Sequence, residues 1–178
     1  MLFRSTECKK IIQTYRDTND KITDLWNQAA ACLDAMMDGS TAPIGVQPQA
    51  LYLGAEGFVL PSGFVLGYKD LKKERNDEGR YEFAYQTRRG TSRIYGGKVV
   101  ENVVQALARC VIAEQMVWIS KRYRPVLTVH DAIAIVAPKE EAEEAQAFVE
   151  KCMRRRPEWA EGLPLNCESG IGENYGQC

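Results

Sequence analysis

The spacing of hydrophobic and polar positions changes several times along the chain, and each change marks an element. Across residues 5 to 37, Ile11, Ile12, Tyr15, Ile22, Leu25, Trp26, Ala29, Cys32 and Leu33 recur at helical spacing. Asn19-Asp20 interrupts that run as a break with a fresh N-cap, so the stretch reads as two helices or one kinked helix, stopped by Asp38-Gly39-Ser40. Residues 41 to 49, with two prolines and one glycine, read as a loop. From 50 to 97 the pattern shortens to strand-length runs such as Gly57-Phe58-Val59-Leu60 and Arg80-Tyr81-Glu82-Phe83-Ala84-Tyr85. Leu60-Pro61-Ser62-Gly63 and Asn76-Asp77-Glu78-Gly79 supply turns between them, which predicts a small antiparallel meander. Helical spacing returns over 99 to 120, with Val100, Val103, Val104, Leu107, Val111 and Trp118 on the apolar face. Its opposite face carries Glu101, Gln105 and Arg109, extended by Asn102 and by Lys98. Such a stripe is either a solvated face or the floor of a polar groove.

Residues 126 to 136 hold two apolar, β-branched runs on either side of His130-Asp131, and His130 is the only histidine of the chain. The runs read as buried strands. A charged pair between them cannot share that core, because an unpaired buried carboxylate is costly. The pattern therefore predicts a tight hairpin whose turn carries His130 and Asp131 to a sheet edge or cleft. There Asp131 is either an ordinary turn aspartate or a rigidly held metal ligand. A helix follows from 139 to about 155, with acids at its start and bases at its end, as the helix dipole favours. The tail from 163 reads as one more strand and a loose end. The whole is an α+β chain, expected to form a single domain over 1–178.

Composition narrows the chemistry. The net charge of −1 gives no global attraction to nucleic acid, but residues 69 to 98 carry nine Lys/Arg against five acids, enough for a local phosphate-binding patch or a merely solvated hairpin. The six cysteines contain no C-x-x-C pair, and with one histidine no zinc spacing exists. No run reaches membrane-spanning length and no signal peptide is visible, so a cytoplasmic protein with reduced thiols is expected.

Four segments resemble, in order, the C-terminal third of family A DNA polymerases, with the bacteriophage members the most similar. They are Leu60-Pro61-Ser62-Gly63, the run from Tyr95-Gly96-Gly97-Lys98 through Glu101-Asn102 and Gln105 to Arg109, Val129-His130-Asp131, and the ending from Pro157-Glu158-Trp159 to Asn174-Tyr175-Gly176. The resemblance runs from about residue 6 to the end. It implies a palm-like antiparallel sheet with a central His-Asp hairpin, long packed helices and a small β-meander insertion. It also implies Asp131 as a ligand in a two-magnesium nucleotidyl-transfer site, and His130 near the primer terminus. Lys98, Asn102, Gln105 and Arg109 would lie along primer–template DNA, with Gln105 able to read minor-groove acceptors that every base pair presents. Deoxynucleoside triphosphates would be the substrates, and the cytoplasm of a phage-infected bacterium the setting.

The chain departs from the family's pattern in two ways. Ala132 stands where the family usually continues with glutamate. The family's first carboxylate motif and its nucleotide-gripping fingers helix have no match, and both would precede residue 1. One carboxylate cannot hold two metal ions. The chain alone is therefore expected not to polymerise DNA, but to work with a second polymerase chain carrying the missing motifs or to self-associate through apolar surface. The alternatives are a non-catalytic DNA-binding remnant, a structural subunit and, with one aspartate lacking acidic neighbours, a poorly supported metal-dependent nuclease.

Overall fold

The computed structural model describes residues 3–45, 51–54 and 56–178, so the second half of the loop expected at 41 to 49 lies outside it. The architecture is mixed α+β, with four helices and small antiparallel sheets. Two helices open it, α1 (Phe3–Thr18) and α2 (Asp20–Asp38). The break falls at Asn19 as expected, and Asn19 stands at the N-cap of α2, but its side chain makes no capping bond to that helix. Its backbone and side-chain nitrogens instead both donate to the Tyr15 carbonyl, closing the end of α1. Gly39, at φ 74°, ends α2 in the left-handed region that glycine enters at no steric cost. The apolar positions along α1 are open: Ile11, Ile12 and Tyr15 are all exposed, and Ile22 at the start of α2 is exposed too. Burial begins only in the second half of α2, at Ala29, Cys32, Leu33 and Ala35. The periodicity of the first helix thus reports an amphipathic face that no described element of its own unit covers.

Two compact units make up the chain, Met1–Gln105 and Ala106–Cys178. In the first, the expected meander resolves into two three-stranded antiparallel sheets. One runs β1 (Tyr52–Gly54), β2 (Gly57–Val59), β3 (Val65–Leu66); the other runs β4 (Lys72–Arg75), β5 (Tyr81–Thr87), β6 (Gly90–Ile94). Both turns sit where turn chemistry put them: Gly63 N donates to Leu60 O (2.9 Å) and Gly79 N to Asn76 O (2.9 Å). Phe58, Leu33 and Val99 are the fully buried large side chains of this unit.

Helix α3 (Gly96–Ile119) crosses the boundary between the units. Its buried positions are Val99, Val103, Cys110, Val111, Ile112, Gln115 and Ile119, whereas Val104, expected on the core face, is exposed. The phase is set at its first residue. A Cβ at Gly96 would collide with the carbonyl of Trp26, so this helix start lies directly on the α2 backbone. That contact turns Val99 and Val103 inward and leaves Val104 beside Gln105 on the open side.

The second unit holds the end of α3, the antiparallel pair β7 (Pro125–Val129) and β8 (Ala132–Ile135), and α4 (Ala142–Met153), which a 3-10 turn at Lys139–Glu141 introduces. Ile119, Tyr123, Ala145 and Cys152 form its core, with Ile133, Ile135 and Phe148 packed against them. The tail expected to form a strand has no ladder partner. Irregular backbone from 163 is held by side chains instead: Ser169 Oγ donates to Glu150 Oε1 (2.5 Å), and Arg154 Nε to Asn166 Oδ1 (3.1 Å). Asn166 and Glu168 among its few strand-length residues leave too little apolar surface to bury a strand face. Cys32, Cys110 and Cys152 are buried, as small residues at apolar positions. No helix of the described residues is long and apolar enough to cross a membrane.

Candidate carboxylate turn and polar helix stripe

Strands β7 and β8 pair with Val129 opposite Ala132, which leaves His130 and Asp131 as the two residues of the connecting turn. Two-residue hairpin loops need positive φ at one or both central positions to match the strand twist. Here His130 supplies it, with φ 52°, one of two non-glycine residues in the described chain at positive φ. A β-carbon in that region costs on the order of 1 kcal/mol or more, although histidine tolerates it better than most. Both side chains are exposed, and neither makes a hydrogen bond or ion pair among the described residues. Asp131 is thus a carboxylate on a short, register-fixed turn, with its oxygens open to a ligand.

The strands around it are less buried than their composition predicts. Thr128 and Ile133 face each other on the core side, whereas Leu127 opposite Ala134 and Val129 opposite Ala132 form the outer face. The apolar side chains around that outer face are open: Val126 is 55% exposed, Leu127 42%, Val129 40% and Val136 73%. A run that is apolar on both faces is what a sheet covered on both sides requires, and within this unit only one side is covered.

The polar stripe of α3 is partly occupied by its own members. Lys98 Nζ donates to Glu101 Oε1 (2.8 Å), and Gln105 Nε2 reaches the same oxygen at 3.4 Å. The hydrogen bond to Glu101 holds the Lys98 ammonium above the usual lysine value. Asn102 turns aside: its amide donates to the hydroxyl of buried Tyr68 (3.2 Å), whose burial in turn pushes the phenol up. Tyr68 also stands edge-on to Tyr85, with ring centroids 5.0 Å apart. Asn102 therefore anchors the loop after β3 to the helix. Gln105 and Arg109 are exposed, and Arg109 has no partner among the described residues. Helical spacing could have revealed the Glu101 contacts, at i, i+3 and i, i+4; nothing in the sequence pointed to Tyr68, 34 residues away.

A two-ion centre needs several oxygen ligands converging on each ion. Among the described residues no group of three or more His, Cys, Asp or Glu side chains is placed to hold a metal. Asp131 is a single donor, and Ala132 beside it adds none. These residues by themselves do not fit a two-magnesium site.

No protein-family profile matches the chain, and no solved structure matches it. Among curated proteins, it is 31% identical over 180 residues to a DNA polymerase of Bacillus phage SP02. That alignment takes in 95% of this chain and 27% of the polymerase, so the chain spans about a quarter of the length of that relative. The chain is thus related to a phage DNA polymerase.

Proposed function

We propose that this chain is the C-terminal, palm-like part of a phage family A DNA polymerase, and that it binds primer–template DNA through α3 while offering Asp131 as one carboxylate of a magnesium site completed from outside these residues. The observation that carries the reading is the match to the SP02 polymerase along 95% of the chain. The hairpin is consistent with it, since a two-residue turn fixes one carboxylate at the end of a sheet. The open apolar face of β7 and β8 supports a partner stretch, either elsewhere on a longer polypeptide, on a second chain or on a second copy. Such work belongs to the cytoplasm of an infected bacterium, where deoxynucleoside triphosphates are at hand.

On this reading Gln105 and Arg109 meet DNA directly, Gln105 in the minor groove and Arg109 at phosphate, with His130 near the primer end. Lys98 joins them only when it leaves Glu101, and Asn102 acts through Tyr68. Glu101 opposes binding, because its charge lies within the stripe and occupies two of its donors. Binding of a labelled primer–template duplex by the purified chain tests this with opposite signs. Arg109→Ala and Gln105→Ala should weaken binding several-fold, while Glu101→Gln should tighten it. The same affinity for all three as for wild type would refute the stripe as a DNA surface.

A second reading, a DNA-binding remnant without chemistry, draws on Ala132 and the single carboxylate. It predicts that Asp131→Asn changes nothing even when the rest of a polymerase is supplied. The catalytic reading predicts loss of synthesis in that variant.

A further inference from the structure

The nine cations between residues 69 and 98 divide into two groups in the structure. Five are neutralised within the chain: Lys72 by Glu74, Lys73 by Asp34, Arg80 by Glu78, Arg93 by Glu82 and Lys98 by Glu101. The other four, Lys69, Arg75, Arg88 and Arg89, have no ion pair among the described residues. Arg75 lies over the ring of Tyr81, 5.0 Å from its centroid, at the far end of the β4–β5–β6 sheet. The remaining three meet at the opposite end. Thr87 pairs with Gly90, so Arg88 and Arg89 are the two residues of the β5–β6 turn. Lys69 is brought beside them by its carbonyl, which accepts from Gln86 N (2.8 Å).

This tip is built rather than frayed. Thr87 Oγ1 donates to Gly90 O (2.7 Å) and accepts from Arg89 N (3.2 Å), and Gln86 Nε2 donates to Thr91 Oγ1 (2.9 Å). Every one of those bonds is local, so the turn keeps its shape with both guanidinium groups in solvent. Asp70 follows Lys69, leaving a net charge of two positive units across Lys69, Asp70, Arg88 and Arg89. Adjacent unpaired arginines on a short rigid turn match anionic oxygens spaced along a polymer, because each fork takes one phosphate and the turn backbone is already ordered before binding.

We infer that the Arg88-Arg89 tip of the β5–β6 hairpin, with Lys69, is a second DNA contact that grips the phosphodiester backbone without reading sequence. This deepens the polymerase reading and rests on it. Each phosphate neutralised releases counterions, so each contact contributes about 0.9 to the slope of log affinity against log salt on duplex DNA.

The test is duplex binding by fluorescence anisotropy across a salt series, for the wild-type chain, R88A/R89A, R88K/R89K and Q105A. The double alanine variant should bind more weakly and lose about 1.8 of the slope, whereas the lysine variant keeps the wild-type slope. Melting curves should coincide, since neither arginine side chain has a folded-state partner. A wild-type slope in R88A/R89A, with Q105A still weakened, would overturn this inference and leave the polymerase reading standing. No duplex binding by the wild-type chain would overturn both. Arginine-dependent binding to phosphatidylserine vesicles without duplex binding would assign the tip to a membrane surface and overturn it too.

Discussion

His130 occupies a position where a side chain is a structural liability. Its φ of 52° is the conformation the two-residue turn demands, and glycine or asparagine would meet that demand at lower cost. On the proposed function its ring lies near the primer end. Substitution separates the two roles. His130→Gly should match or exceed wild-type stability by up to about 1 kcal/mol, while His130→Val, β-branched and poorly suited to positive φ, should lose about 1–2 kcal/mol. Denaturant midpoints of the two variants check this, and equal midpoints would contradict the strained turn. The pair itself was legible in the sequence, because two charged groups between apolar runs can only sit at a turn. The strain was not legible, since it follows from the loop having two residues rather than three. The role of Asn102 was hidden as well. By spacing it belongs to the polar stripe of α3, yet its amide is engaged by Tyr68, a partner too distant in sequence for any local pattern to announce.

Among the elements, α3 shows how one glycine sets which face of a helix is open. Gly96 lets the helix begin against the Trp26 carbonyl, and the rotation fixed there leaves Gln105 on the exposed side. Gly96→Ala should therefore cost about 1–3 kcal/mol or more by overpacking against rigid backbone. Gly97→Ala, whose new atom would meet only the ring edges of Tyr95 and Trp26, should be near neutral. Thermal melts compare the pair directly. The periodicity announced the helix but misplaced Val104, because spacing alone gives a face and not its rotation against a neighbour. The same limit applies to the tail, where the clamp on Glu150 stands in for strand pairing. Hydrogen bonds from Ser169, then Arg154, hold the Glu150 carboxyl below its usual value. A depressed native value means that the clamp's stabilisation is complete above the ordinary glutamate value, about 4.3, and is lost as the pH falls through the lower native one. The stability difference between wild type and Glu150→Gln should thus be constant near neutrality and shrink on acidification below about pH 4. A difference that grows on acidification would contradict the clamp.

Across the molecule, the sequence spoke most clearly about kinship and least about cover. Motif order pointed to DNA polymerases, and the SP02 match agrees with that at the level of a polymerase relationship. What hydrophobic pattern could not reveal is which apolar faces stay open: α1 is apolar at helical spacing and the 126–136 runs read as buried strands, yet nothing within their own units covers α1 or the outer face of β7 and β8. An apolar face of this kind is a docking surface when the partner stretch is present and an aggregation liability when it is absent. On the function proposed, these residues carry the DNA-holding part of a polymerase and one carboxylate of its metal site, but not the chemistry alone. The decisive experiment places a labelled primer–template, all four deoxynucleoside triphosphates and magnesium with the purified chain, and reads duplex binding and primer length in the same sample. The expected outcome is bound duplex with an unextended primer. Magnesium-dependent extension by this chain alone would contradict the proposal, and so would a duplex left entirely unbound.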